Sequence, residues 1–364
     1  MNRIKLGDIC TKASSNIKQS DLVDNEGNYP IYGASGFIKN VDFYMQEKPY
    51  VAVVKDGAGV GRVMKLPAYS SVIGTMQYII PNDGVDVSFL AYAMEHMNLS
   101  KYYMGAAIPH IYFKDYKEEM LYSYNLESQL EIVNRLNAVE KIIKARKEQA
   151  EKLDELIKSR FIEMFCGLDK WKYVFIRDIC TDMRTGPFGS SLHHDEFVDN
   201  GVFVLGIDNA VDNEFSYNRM RYITEEKYLQ LKRYTVQPLD VIITIMGTVG
   251  RSAVIPEDIP LAINTKHLAC LTLNKSIANP YFVAKTFQIH PEILYQLSLN
   301  SKGAIMDGLN LTIIKGLKFR LPPIDLQNQF ANFVTKVEQQ KATVQKSINR
   351  LETLKKSLMQ EYFG

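Results

Sequence analysis

Residues 126–165 read LESQLEIVNRLNAVEKIIKARKEQAEKLDELIKSRFIEMF and contain neither glycine nor proline. Apolar side chains recur there at alternating steps of four and three residues. The row consists of Ile132, Leu136, Val139, Ile143, Ala150, Leu153, Ile157 and Met164, and it is interrupted by Arg146 and Arg160. This spacing predicts one long helix with a heptad seam. At about 1.5 Å per residue the helix would be roughly 60 Å long, so its seam needs a partner to cover it.

The same pattern returns between Leu326 and Phe363, which predicts a second long helix. Its row consists of Phe330, Val334, Val337, Val344, Ile348, Leu351, Leu358 and Tyr362, and Lys341 and Lys355 interrupt it. Phe330 follows Ile132 by 198 residues, and Leu351 follows Leu153 by the same 198. We therefore expect the two helices to pair with each other, antiparallel, within one chain.

The segments before the two helices also repeat. Asp8-Ile9-Cys10 recurs 170 residues later, Gly61-Arg62 recurs 189 residues later, and the offset reaches 198 at the helices. The second copy is therefore 28 residues longer, with most of the extra length at 184–191 and 218–239. We predict an α+β fold with two repeated domains joined by two long antiparallel helices about a pseudo-twofold axis. The predicted boundaries are 1–125 and 168–323 for the domains, and 126–167 and 324–364 for the helices.

Bulk composition narrows the possible functions. The net charge is +2, residues 1–125 hold 12 basic and 13 acidic side chains, and residues 171–322 hold 16 and 15. Charge alone thus gives no support to a nucleic-acid partner. The longest apolar runs are only strand-length, and the N-terminus has no signal-peptide core. The four cysteines form no CxxC pair, so we expect reduced thiols and a cytoplasmic protein.

Three motifs suggest chemistry but fit simpler explanations better. Gly57–Gly61 is a GxGxG after a strand, yet strand-like sequence follows where a dinucleotide loop needs a helix. Asn279–Phe282 is one residue from an adenine-methyltransferase signature, but a helix start with proline at its first position explains it. His193–Glu196 lacks a third metal ligand at sensible spacing. We therefore predict no metal site and no catalysis in this chain.

Several segments, in two ordered copies, carry a resemblance to a known family. They are YPIYGASG (29–36), DGAGVGR (56–62) and LESQ (126–129) in the first copy, and GPFGSS (186–191), GTVGR (247–251), LNLT (309–312) and LPPIDLQ (321–327) in the second. Together with the long helices they resemble the DNA-specificity subunit of type I restriction–modification systems. The first copy departs from the pattern in one place, since Tyr124-Asn125 stand where the second has Pro322-Pro323.

The resemblance implies a function for each part of the chain. Each domain would be a target recognition domain that reads one half of a bipartite sequence in double-stranded DNA. The helices would act as a ruler for the unread spacer and would dock two methyltransferase subunits, which use S-adenosylmethionine at adenine N6. Two restriction subunits, where a system has them, would add ATP- and magnesium-dependent translocation and cleavage. The chain itself would be non-catalytic and cofactor-free, with no membrane partner.

Polar and basic side chains in the repeated loops are the expected DNA contacts, because base edges and phosphates call for amide, hydroxyl, imidazole and basic groups. The repeated Gly-Arg loop and the clusters Gly74–Gln77 and Asn264–His267 carry this prediction. The candidates are Tyr32, Ser35, Lys55, Arg62, Thr75, Gln77, Lys101, His110, Arg184, Ser190, Ser191, His193, Asn209, Thr244, Arg251, Asn264, Lys266, His267, Lys302 and Asn310. The alternatives are a two-headed protein-interaction scaffold without DNA binding and, third, a remnant of a fused methyltransferase.

Overall fold

A computed structural model describes residues 2–105, 109–167, 170–188, 191–301 and 309–364. The chain divides into two compact units. Unit 1 comprises residues 1–148 and 344–364, and unit 2 comprises residues 149–343. Each long helix contributes to both units, since α4 (Leu126–Phe165) begins in unit 1 and ends in unit 2, whereas α9 (Ile324–Phe363) does the reverse.

Unit 1 is built on a buried strand that the sequence predicts. All five residues of Tyr50–Val54 are buried, as expected for a run of β-branched residues in a sheet centre. In chain order the elements are β1 (Arg3–Lys5), α1 (Leu6–Ile9), β2 (Cys10–Ser14), β3 (Tyr29–Gly33), β4 (Gly36–Val41), β5 (Tyr50–Val54), β6 (Val63–Leu66), β7 (Ser71–Val72), β8 (Met76–Pro81), α2 (Val87–His96), α3 (Phe113–Tyr116) and β9 (Met120–Tyr122).

Unit 2 repeats this plan and adds helices. Its elements are β10 (Tyr173–Phe175), β11 (Cys180–Thr185), β12 (Val202–Leu205), β13 (Tyr222–Ile223), α5 (Glu225–Leu231), β14 (Val241–Thr244), β15 (Ser252–Val254), β16 (Ala262–Asn264), β17 (Leu268–Leu273), α6 (Pro280–Ile289), α7 (Pro291–Ser301), α8 (Leu311–Gly316) and β18 (Lys318–Arg320). α5 lies within the predicted extra segment 218–239, and the described residues of unit 1 form no helix at the corresponding place between β4 and β5.

The strand order is identical in the two units. Unit 1 has sheets β2-β8-β5-β6, β4-β3-β7 and β1-β9, and unit 2 has β11-β17-β14-β15, β13-β12-β16 and β10-β18. In each unit one pair is parallel: Ile31 pairs with Ser71, and Phe203 pairs with Ala262. The predicted α+β class with a duplicated domain is therefore confirmed.

The two long helices run antiparallel within each unit. In unit 1, Arg135 Nη1 donates to Tyr362 Oη at 3.2 Å, and Lys147 pairs with Glu352 at 2.9 Å. In unit 2, the Phe161 and Phe330 ring centroids are 5.4 Å apart. Most seam positions are buried as predicted, among them Ile132, Leu136, Val139, Ile143, Ile157, Phe330, Val334, Val337, Val344, Ile348 and Tyr362.

The lysines that interrupt the second seam have a structural explanation. Lys341 Nζ lies 2.8 Å from Asp154 on α4 and 3.0 Å from Glu214. Lys355 Nζ lies 2.8 Å from Glu140 on α4 and 3.1 Å from Glu95 on α2. Each lysine thus joins both long helices to its own unit.

A repeated glutamine anchors each domain helix to a long helix. Gln129 Oε1 accepts from the N–H of Asp86, the residue that caps α2, at 2.9 Å. Gln327 Oε1 accepts from the N–H of Asn279, the cap of α6, at 2.9 Å. The predicted helix start at Asn279-Pro280 is confirmed. Both amides also donate to backbone carbonyls, so each buried glutamine is satisfied.

Candidate nucleic-acid interface

In unit 1, loops from separate parts of the chain meet at one edge of the sheets. β3 and β7 are parallel and end there, and the N–H of Ile73 donates to Tyr32 O at 3.0 Å. The N–H of Lys55 donates to Thr75 O at 3.0 Å, and the N–H of Gly57 donates to Pro109 O at 2.9 Å. We call residues 33–36, 55–62, 73–75 and 109–112 the unit 1 loop edge.

The three corresponding loops of unit 2 also meet, together with residues 186–188. The N–H of Thr265 donates to Leu205 O at 2.9 Å, and the N–H of Ile245 donates to His267 O at 2.9 Å. A side chain on Gly186 would come within 2.0 Å of Asn264 O, so only glycine lets these two backbones approach so closely. We call residues 186–188, 206–209, 245–251 and 264–267 the unit 2 loop edge.

A glycine-rich hairpin lies in each loop edge. Gly57, Gly59 and Gly61 have φ of 81°, 90° and 84°, and β6 follows them directly. The predicted β-loop-β is confirmed, and a strand occupies the position where a dinucleotide loop requires a helix. In unit 2 the hairpin between β14 and β15 turns at Gly247 and Gly250, with φ of 70° and 84°. Each hairpin ends in an exposed arginine, Arg62 or Arg251.

The unit 1 loop edge contains five of the predicted residues, and a sixth, Tyr32 of β3, adjoins it. Arg62 Nη1 donates to Ala34 O at 2.7 Å, which places its guanidinium beside the loop after β3. Ser35, Arg62 and Thr75 are exposed, whereas Tyr32 (the last residue before that loop), Lys55 and His110 are half-buried.

Two other unit 1 candidates have partners within the unit. Gln77 is 2% exposed and donates to the Tyr116 hydroxyl inside the unit. Lys101 is exposed but pairs with Glu119, and its ammonium lies 5.1 Å from the Tyr102 ring centroid. Gln77 is thus too buried for a base contact, and Lys101 already has a neutralising partner.

In unit 2, three predicted residues are accessible at the loop edge. Arg251 is exposed, and Lys266 and His267 are half-buried. Burial lowers the pKa of His267 below its ordinary value, and the neighbouring Lys266 and Arg221 lower it further. A neutral His267 at pH 7 offers one donor and one acceptor nitrogen, and both kinds of group can bond to base edges.

Three predicted residues of unit 2 are fully buried and hold the loops in shape. Asn209 accepts from the N–H of Gly206 at 2.8 Å, and Thr244 Oγ1 accepts from the N–H of Arg251 at 3.0 Å. Asn264 donates to Leu268 O at 3.0 Å. Their side chains satisfy backbone groups and do not reach the surface, so they position neighbouring residues.

Arg184, also a predicted DNA contact, is held inside unit 2. Its side chain is 12% exposed, and Nη2 donates to Asp240 at 2.6 Å and to Thr235 O at 2.8 Å. Nη1 donates to Thr272 Oγ1 at 2.9 Å and to Asp182 at 2.6 Å. Arg184 thus ties the inserted segment to the central sheet, and we remove it from the proposed interface.

The remaining candidates are scattered. His193 is exposed and Ser191 is half-buried, and both lie beside the short turn His194–Glu196. Asn310 caps α8, because its side chain accepts a hydrogen bond from the N–H of Ile313 at 2.9 Å. Glu196 of the suspected metal motif pairs with Lys227 and accepts from the N–H of His193. Ser190 and Lys302 lie outside the described residues.

Exposed apolar side chains at the unit 2 loop edge escaped the sequence analysis. Phe188, Met246 and Val249 are 55%, 42% and 40% exposed. Apolar groups of this kind contact the thymine methyl in the major groove. The sequence could have indicated these exposed side chains, because each is an apolar residue inside a glycine-rich loop, where side chains are not expected to be buried.

The described residues offer neither a metal cluster nor a membrane-spanning helix. Within the described ranges, His, Cys, Asp and Glu side chains form no group of three that could hold a metal ion. In that same part of the chain, no helix has both the length and the apolar character needed to span a bilayer.

One family model and curated proteins of related sequence match this chain. A family model for the type I restriction modification DNA specificity domain matches residues 1–153 and 168–353. The specificity subunit of the type I restriction enzyme EcoBI from Escherichia coli is 26% identical over 199 residues, which are 54% of this chain and 41% of that protein. The chain thus matches about two fifths of the length of that curated relative.

Two solved structures share the fold. The S subunit of a type I restriction-modification system from M. genitalium superposes with a TM-score of 0.63 at 15% identity, over 100% of this chain and 96% of that one. A structure from work on complex assembly and conformational transition of the type I system gives a TM-score of 0.59 at 15% identity, over 99% and 97%.

Proposed function

Because the chain belongs to the family of type I restriction modification DNA specificity domains, we propose that it is the sequence-reading subunit of a type I restriction–modification complex. Each unit would read one half of a bipartite DNA site through its loop edge. The observation that carries the proposal is that the same strand order brings equivalent loops together in both units while their side chains differ. One scaffold with two different sets of loop residues suits an asymmetric site with unlike halves.

The accessible residues of the two loop edges divide into two kinds of contact. Arg62 and Arg251, at the ends of the glycine hairpins, suit phosphate oxygens or guanine edges. Ser35, Thr75, His110 and His267 offer hydroxyl and imidazole groups for base edges. The near-neutral charge of each domain means that few phosphates are neutralised here, so partner subunits would supply much of the affinity.

Two methyltransferase subunits are the proposed partners on the long helices. Large apolar side chains remain exposed on α4, including Leu130, Ile142 and Leu156 at 44%, 46% and 47%. Exposed apolar surface on a long polar helix suits a protein partner. Those subunits would use S-adenosylmethionine to methylate adenine N6, restriction subunits would use ATP and magnesium, and this chain would hold no cofactor.

Selection from a random duplex DNA library tests the proposal. The chain, co-purified with its methyltransferase partners, is expected to enrich one motif with two dissimilar halves and an unread spacer of fixed length. Affinity for this motif should exceed that for random DNA by about 10³-fold or more. Absence of DNA binding even at low salt would contradict the proposal and favour the protein-interaction scaffold, since low salt strengthens every phosphate contact.

A further inference from the structure

An aspartate and a histidine from distant parts of the sequence meet at the unit 1 loop edge. Asp56 follows β5, and His110 Nδ1 contacts its Oδ1 carboxylate oxygen. Their backbones also pair as an isolated β-bridge, and His110 exchanges both backbone hydrogen bonds with Met104 at 2.9 Å each. His110 is therefore fixed through its main chain and its side chain together.

Aromatic packing restrains the imidazole further. The His110 and Tyr112 ring centroids are 4.1 Å apart, and the ammonium of Lys114 lies 5.2 Å from the Tyr112 ring centroid. Yet 27% of the His110 side chain and 28% of the Asp56 side chain stay accessible. The pair is thus held rigidly and remains accessible to solvent, as side chains that recognise a DNA base must be.

Hydrogen-bond accounting decides what the pair can recognise. A carboxylate only accepts, so the Nδ1 that faces Asp56 carries the hydrogen, and Nε2 of the neutral ring is left as an acceptor. No hydrogen bond to Nε2 is formed among the described residues. Lys55 Nζ lies 3.8 Å from the second carboxylate oxygen and forms an ion pair with it, so His110 Nε2 is the acceptor that remains. This one acceptor matches the single free hydrogen on the exocyclic amine of a paired adenine or cytosine.

At the position that corresponds to Asp56, unit 2 carries an apolar side chain: Met246 stands two residues after β14, as Asp56 stands two residues after β5. The segment that corresponds to His110 lies outside the described residues.

We propose that the Asp56–His110 pair determines specificity for an adenine or cytosine within the half-site read by unit 1. His110 accepts from the exocyclic amine, and Asp56 is the positioning residue that holds its ring. This inference rests on the proposed function and adds to it the chemical identity of one recognised base.

Duplex selection with variant complexes tests the pair. His110→Ala is expected to relax one position of the unit 1 half-site, so that discrimination there falls about 5- to 150-fold. Asp56→Ala should relax the same position, whereas Asp56→Glu and His110→Gln, which keep an acceptor, should preserve the preference in part. Asp83→Ala is the matched control, since it removes an exposed acid from the turn after β8.

The possible outcomes distinguish failure of the proposed function from failure of this inference. A wild-type complex that enriches no motif would sink the proposed function and this inference together. A wild-type motif that survives unchanged in both alanine variants would overturn this inference alone. Equal loss of binding to every sequence, without relaxation at one position, would also overturn it, because a purely structural or phosphate-binding role predicts that pattern.

Discussion

Replacing Phe161 with alanine is expected to lower the free energy of unfolding of unit 2 by about 3–5 kcal/mol. Phe161 lies on α4 and is fully buried. Its ring stacks on Phe282 of α6 at 5.8 Å and packs against Phe330 of α9 at 5.4 Å and His290 at 5.9 Å. Three helices therefore meet on one side chain, and the cavity left behind would face rings that cannot easily close it.

The single tryptophan of the chain makes the measurement local. Trp171 lies 6.1 Å from the ring of Phe165, one turn along α4 from Phe161. Denaturant unfolding followed by its fluorescence therefore reports on this cluster. Ile162→Ala is the matched control, because Ile162 is 41% exposed on the same helix and should change stability by less than about 0.5 kcal/mol. Equal midpoints for the two variants would show that Phe161 does not join the helices.

Replacing Arg184 with methionine is expected to lower the free energy of unfolding of unit 2 by about 3–5 kcal/mol. The side chain of Asp240 is only 1% exposed, and without Arg184 its charge would lie buried with one backbone N–H and the Cys270 thiol as remaining partners. Burial raises the pKa of Cys270, and the Asp240 carboxylate raises it further, so the neutral thiol remains a weak donor and supplies no positive charge.

A double-mutant cycle isolates the ion pair. Asp240→Asn in the Arg184→Met background removes the orphaned charge and should recover part of the lost stability. The two substitutions should therefore be strongly non-additive in urea unfolding curves. Strict additivity would mean that the pair is not coupled, and selective loss of DNA binding at unchanged stability would restore Arg184 as a DNA contact.

The long helices and the duplication could be predicted from sequence because heptad spacing and repeated short motifs are local signals. The heptad row nevertheless omitted Phe161 and Phe165, which are 0% and 3% exposed. A heptad describes a helix with one partner, whereas this end of α4 packs against both α9 and α6. This end of α4 therefore has a second buried face, and the heptad spacing of the first face does not reveal it.

The candidate interface was only partly predictable for a related reason. Polar residues such as Asn209, Thr244 and Asn264 occur at strand ends either to face a ligand or to satisfy the loop backbone, and their identity does not distinguish the two. The ion pair of Arg184 with Asp240 spans 56 residues of sequence. The Asp56–His110 contact spans 54. Such pairings depend on strand register, which becomes visible only in the folded chain.

Exchange of one domain tests the central claim, that each unit reads its own half of a bipartite site, most directly. Residues 171–322 would be replaced by the equivalent segment of a family member with a different recognition sequence, and methylated adenines would be mapped across DNA exposed to each complex. We expect one half of the motif to change, with the other half and the unread spacer retained. A motif altered in both halves, or a palindromic one, would contradict independent reading by the two units.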